Sequence, residues 1–312
     1  MTVRPESTGD AMPRKDRMDA AGAAGLVAFA LLLALNQVII KLVNEGFQPV
    51  FFAGLRSALS VLCIFAWLHW RGIPVRTAPG SLGAGLLMGM IFAAEFLFLF
   101  LALDLTTVVR TSIIFYSMPV WLALMAHFGL PGERITMAKA IGLAMAFAGT
   151  AWAILDQGST GGEASLLGDL CALAAAFGWA GTAFMARGSA MVRERPEMQL
   201  FWMVAVSGVV LLAVSPLFGP LIRDLTPWHL AGLAFQVIVV VSAGFIFWLW
   251  LLSIYPAASV ASFSFLTPIF GLTLGWLVLG EPIGPGILGA AGLVAAGIIL
   301  INRKPSTRKS AA

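Results

Sequence analysis

Thr-Thr-Val-Val-Arg-Thr-Ser-Ile-Ile-Phe-Tyr-Ser-Met-Pro-Val-Trp, Thr106 to Trp121, is the stretch that decides the fold, because the second half of the chain restates it. An apolar run follows it, then Pro131-Gly132-Glu133-Arg134, then a glycine-studded helix ending near Ile154. Ala257–Phe270 reads Ala-Ala-Ser-Val-Ala-Ser-Phe-Ser-Phe-Leu-Thr-Pro-Ile-Phe, and it too leads through an apolar run to Gly280-Glu281-Pro282 and a glycine-studded helix. Pro119 pairs with Pro268 at an offset of 149, and Glu133 with Glu281 and Gly149 with Gly297 at 148. One single-residue gap therefore aligns the two units. An internal repeat of this length sets the architecture before any single residue is read.

Of the 312 residues 60% are hydrophobic and 11% charged, and the mean hydropathy is +0.94. No soluble domain of this length needs so much apolar surface, so the chain reads as an all-α integral membrane protein. Its net charge of +4 sits in tails and loops and is no sign of nucleic-acid binding. Cys63 and Cys171 fall in apolar runs and read as packing residues, not a disulfide or metal framework. The first apolar run is too long for a signal-peptide core and reads as a retained span.

A membrane helix needs about 20 mostly apolar residues. Ten runs qualify: Gly22–Leu42, Val50–Trp70, Gly80–Leu101, Thr106–Ala126, Ala138–Leu155, Leu167–Ala186, Met198–Phe218, Trp228–Ser253, Ala257–Leu279 and Pro285–Ile301. With ten spans, 15 of the 19 Lys and Arg fall on one side, in the two tails and in the connections holding Arg71, Arg76, Arg134, Lys139, Arg187, Arg193 and Arg195. Lys41 and Arg223 fall on the other, and Arg56 and Arg110 lie within spans. Positive charge marks the cytoplasmic side, so both termini are expected there, in a bacterial-type inner membrane. The expected divisions are tails 1–21 and 302–312, a five-helix repeat over 22–155, an extracytoplasmic linker 156–166 and a second repeat over 167–301. Five is odd, so the repeats insert in opposite orientations, which makes two packings open to opposite sides available to one chain.

Ionisable groups inside a bilayer are functional candidates by default. Glu95 lies about eight residues before the third-to-fourth turn and Arg110 about seven after it. At about 1.5 Å of rise per residue the two share a depth, and an ion pair is geometrically reasonable. Arg56, Asn36, Gln37 and Lys41 fall in the same outer half of the first repeat. Arg56 and Arg110 read equally as structural, through Glu95 or helix carbonyls, and as substrate-facing. Lys41 reads first as an anchor reaching toward the interface. Three cations against one carboxylate favour a substrate with an anionic group, and Glu95 is the proton-coupling candidate. Pro119 and Pro268 interrupt their spans, freeing the carbonyls of Phe115 and Ser264, and are placed as helix breaks beside the site. Tyr116 and Trp179 are candidate aromatic walls and Ser264 a candidate hydroxyl contact. Gly85/Gly89 and Gly271/Gly275 have the spacing of close helix approach.

Enzyme motifs are missing: no Gly-x-Ser-x-Gly, no phosphate loop and no His/Cys/Asp metal spacing. No cofactor is expected. A membrane-embedded enzyme or a non-transporting assembly partner is the alternative from another class.

Ile40-Lys41 closing the first span, Gly54-Leu55-Arg56 opening the second, Pro119 in the fourth and Gly132-Glu133-Arg134 after it resemble the EamA-type branch of the drug/metabolite transporter superfamily. Pro268 with Gly280-Glu281-Pro282 repeats the motif, and the resemblance runs over Ala23–Ile301. It implies a ten-helix inverted-repeat carrier with a central cavity and alternating access, moving amino acids or other small metabolites, usually outward. The expected partners are the lipid bilayer, a small-molecule substrate and a proton as candidate coupling ion, with monomer and homodimer both open.

Overall fold

The computed structural model describes residues 19–130, 134–156, 165–255, 263 and 266–302. Ser259, Ser262, Ser264, Glu133, most of the 156–166 linker and most of both tails lie outside the described residues.

Helices account for nearly all the described chain. They are α1 (Ala20–Asn44), α2 (Pro49–Trp70), α3 (Leu82–Leu105), α4 (Val108–Phe115), α5 (Met118–Gly129), α6 (Met137–Leu155), α7 (Leu166–Gly188), α8 (Pro196–Val214), α9 (Pro227–Phe235) and α10 (Phe245–Ile254), then α11 (Leu266–Leu279) and α12 (Pro285–Asn302). A π-helical segment, Gln236–Gly244, joins α9 to α10. Among the described residues, eight helices are long and apolar enough to cross a membrane, counting α4 with α5 as Val108–Gly129 and α9 with its continuation as Pro227–Trp248. Leu266–Leu279 and Pro285–Ile301 are shorter apolar helices. Among the described residues, eight of the ten apolar runs appear as helices of spanning length, and Leu266–Leu279 is the described part of the ninth.

Starts and breaks follow from local chemistry. Asp19 caps α1, its Oδ1 accepting from the Gly22 N–H at 2.8 Å, and Ser165 caps α7 through the Gly168 N–H. Pro49 and Pro196 begin α2 and α8, where a missing N–H leaves no gap. In the Thr106–Ala126 run, Pro119 cannot donate to the Phe115 carbonyl, so α4 ends at Phe115 and α5 starts at Met118. The Ser117 hydroxyl donates to the Ile114 carbonyl at 2.6 Å across that break. Pro268 lies in the first turn of described α11.

Tight glycine contacts give the relative directions of the helices. Gly178 and Gly181 of α7 face Glu95 and Ile91 of α3, so those two helices are antiparallel. Gly54 faces Leu212 and Gly208 faces Ala58, which makes α2 and α8 antiparallel as well. Gly85 and Gly89 of α3 face Trp202 and Val206 of α8, a parallel pair. Gly142 and Gly297 each present a carbonyl to the other across an antiparallel α6–α12 contact. Apolar burial gives little drive between helices in lipid, so such close backbone approach is what holds them.

The two ends of the bundle differ. One gathers Arg71, Arg76, Arg134, Lys139, Arg187, Arg193 and Arg195. There the Glu194 carboxylate accepts from the Ala78 N–H at 2.8 Å and from the Ser81 hydroxyl, tying the α7–α8 connection to the start of α3. At the other end Arg223 pairs with Asp104 at 2.6 Å and donates to the Asn44 carbonyl at 3.0 Å. The Asp104 hydrogen bond holds the Arg223 pKa above its ordinary value.

Candidate functional site

Arg56 is carried by α2 about two turns into the bundle, where the bare backbone at Gly54 lets α8 approach. Its side chain is 2% exposed. The Phe96 and Phe100 ring centres lie 4.1 and 5.0 Å from the guanidinium carbon, within reach of cation–π attraction. Nη1 donates to the Gln236 Oε1 over a long 3.5 Å, and Nε has no partner among the described residues. Gln236 is fully buried, and its Nε2 donates to the Asn36 carbonyl at 3.3 Å. The Asn36 Oδ1 is likewise buried without a donor. Gln236 thus joins α1 to α2 from the first residue of the π-helical segment. The Ser242 hydroxyl donates five residues back to the Val237 carbonyl at 2.7 Å. Such widened turns are rare and often found at functional sites.

Glu95 lies on α3 next to Phe96, 2% exposed, and accepts from the Thr182 hydroxyl at 3.3 Å. Gly178 admits the Glu95 backbone one turn along α7, where an added Cβ would lie 2.8 Å from its Cα. Gln37 accepts from the Ser112 hydroxyl at 2.6 Å. Tyr116 is buried at the α4–α5 break, edge-on to Phe115, and Trp179 packs against the main core. Trp121 stacks on Phe177 at 4.0 Å and donates to Ser117 at 3.1 Å.

Two expectations about charge are corrected. Arg110 pairs with Asp169 and not with Glu95. Its Nε and Nη2 meet the two carboxylate oxygens at 3.0 and 2.5 Å, while Nη1 and Nη2 reach the carbonyls of Asp156 and Ala153 at 2.6 and 2.5 Å. Those carbonyls are the negative end of α6, and Asp169 sits in the first turn of α7. Arg110 therefore welds three helices together. Lys41 reaches the end of the bundle, where it donates to the Thr106 carbonyl at 2.7 Å, and it lies 3.8 Å from Glu281. The Glu281 carboxylate also accepts from the N–H groups of Val108 and Val109 at 2.7 and 2.8 Å, capping α4 across the bundle. Each of these cations has its own carboxylate, so the apparent excess of positive charge beside Arg56 and Glu95 disappears.

A cleft of about 190 Å³ opens at the basic end, lined by Pro119, Ala126, Arg134, Lys139 and Arg187 among others. A second, of about 180 Å³, lies at the opposite end beside Lys41, Glu45, Asp104 and Arg223. Arg56, Asn36 and Gln236 line neither.

The sequence model of the EamA-like transporter family matches residues 20–155 and again 166–303. The chain belongs to the EamA-like transporter family. Among curated proteins, an uncharacterized transporter of Bacillus subtilis is 23% identical over 91% of this EamA-like chain and 98% of its own length. A protein of Escherichia coli named a probable amino-acid metabolite efflux pump is 26% identical over 93% of this chain and 95% of its own. A solved crystal structure superimposes with a TM-score of 0.64 at 19% identity, over 91% of this chain and 98% of that one, which bears on the fold alone. The family and these relatives make this EamA-like chain a transporter and not an enzyme.

The sequence reading placed Asn36, Arg56 and Glu95 in one half of the first repeat and missed Gln236, Asp169 and Glu281 as partners. Asp169 had a readable signal, as an acid in the first turn of an apolar helix facing a buried arginine. Gln236 had only its polarity inside an apolar run.

Proposed function

We propose that this EamA-like transporter is a secondary carrier of the inner membrane that moves a small polar or amphipathic metabolite, of the amino-acid kind, outward by alternating access. The observation that carries the reading is the buried Arg56–Gln236–Asn36 cluster, which joins the two halves of the chain and leaves polar atoms without partners among the described residues. Buried polar atoms without partners cost about 1–3 kcal/mol each, and a substrate between the halves would relieve that. In this reading Asn36, Gln37, Arg56, Glu95, Tyr116, Trp179 and Ser264 line the path, Glu95 is the proton-coupling candidate, and Pro119 and Pro268 are the breaks beside it. Arg110 holds the scaffold.

Ten spans in two inverted repeats, with both termini cytoplasmic, complete the proposal. Support comes from the family model matching twice, from the antiparallel α2–α8 and α6–α12 contacts between corresponding helices of the two halves, and from the charge difference between the bundle's ends. The efflux-pump name of the Escherichia coli relative favours export of an amino-acid-like compound.

Counterflow tests this. Proteoliposomes loaded with unlabelled amino acids should take up a labelled member of the set transiently and saturably. Flux that rises linearly with concentration and ignores the internal load would overturn the carrier reading.

A further inference from the structure

We infer that the Arg56–Gln236–Asn36 cluster selects a substrate of no net charge, held through a group that offers a hydrogen-bond acceptor beside a donor, with Gln236 setting that choice. The inference rests on the carrier reading and narrows it.

The charge count is the first ground. Arg110 is neutralised by Asp169 and Lys41 by Glu281. Arg56 and Glu95 then remain, and Phe96, adjacent to Glu95 in the chain, lies against the Arg56 guanidinium. With Glu95 in its proton-free form, one positive and one negative group, both buried, leave the site balanced. A substrate with an unmatched charge would be desolvated there without a counter-ion, which is expensive in a low-dielectric interior.

The unpartnered atoms are the second ground. Arg56 Nε offers a donor and Asn36 Oδ1 an acceptor, and neither has a partner among the described residues. The Gln236 side-chain amide links these two residues, accepting from Arg56 and donating to the Asn36 backbone. A bare carboxylate would satisfy Arg56 but bring more negative charge toward the Asn36 oxygen and Glu95. A bare ammonium would satisfy the oxygen and face Arg56. A primary amide or a zwitterionic head satisfies both. Phe96 and Phe100 lie against the guanidinium, and its Nε–H, without a partner among the described residues, is left to read the ligand.

Gln236 is neutral, and a carboxylate in its place would tip the balance. The test is thermal unfolding of the detergent-purified full chain at pH 7, wild type and Gln236→Glu, with two matched sets at equal concentration. One set is phenylalanine, phenylacetamide, phenylacetate and phenethylamine; the other is glycine, acetamide, acetate and methylamine. A ligand that binds only the folded protein raises its apparent stability. In wild type, at least one net-neutral compound should raise Tm. The charged members of its set should bind at least about tenfold more weakly. Gln236→Glu should lose that shift and gain one with the amine. A charged compound matching the neutral one in wild type, no shift from either set, or an unchanged pattern in Gln236→Glu would each overturn the inference. Counterflow that persists in any of those cases would leave the carrier reading standing.

Discussion

Arg110 and Asp169 meet at 2.5 Å with neither side chain exposed, at the point where α4, α6 and α7 converge. The pair is bidentate and backed by carbonyls at the end of α6. Geometry of this kind lets a buried pair offset its desolvation.

Removing one partner strands a buried charge. Asp169→Ala and Arg110→Ala should each destabilise the folded protein by about 3–5 kcal/mol. Arg110→Lys should also lose stability, because an ammonium cannot reproduce the planar fork. Thermal unfolding in detergent reads all three. Replacements without effect would show that the weld is dispensable.

Glu281 predicts a graded result. It accepts from two N–H groups of α4 and faces Lys41. Glu281→Ala leaves both N–H groups unpaired, at about 1–3 kcal/mol each. Glu281→Gln keeps an acceptor and should lose less. Tm should therefore fall in the order wild type, Gln, Ala, and equal losses would contradict the cap.

Gly178 sets the spacing of α3 and α7. A Cβ there would lie 2.8 Å from both Cα and Cβ of Glu95, so backbone must move. Gly178→Ala should cost about 1–3 kcal/mol and lower transport even in the fraction that folds, by displacing Glu95. Transport per folded molecule equal to wild type would contradict the placement.

Glu95 is the proposed proton carrier. Glu95→Gln keeps the shape and a hydrogen-bond partner for Thr182 but cannot ionise. It should abolish accumulation driven by a pH gradient and leave counterflow intact. Loss of both, with the fold retained, would assign Glu95 to binding or structure.

Much of this fold was legible in the sequence because its signals are local and long. The apolar runs exceed 18 residues at eight places, and Pro119 breaks its helix where a missing N–H requires it. Pairing across the bundle was less legible. Glu95 and Arg110 do flank one turn in the sequence, but Asp169, 59 residues beyond Arg110, meets the guanidinium through its position on α7. Gln236 sits 180 residues from Arg56 within a run that reads as an ordinary apolar helix. Its turn widens into a π-helix, which periodicity over a short window does not register. Depth in the membrane can be counted along a helix, whereas the facing of side chains between helices is fixed only by packing.

The central claim is that the folded chain carries a metabolite through the Arg56 cluster. Its most direct test loads proteoliposomes with a small-molecule cell extract and follows the retained compounds by mass spectrometry. The comparison is among wild type, Arg56→Leu and protein-free vesicles. The account predicts that wild type depletes at least one compound that both controls retain. Equal depletion by Arg56→Leu, or retention of every compound by folded wild type, would contradict it.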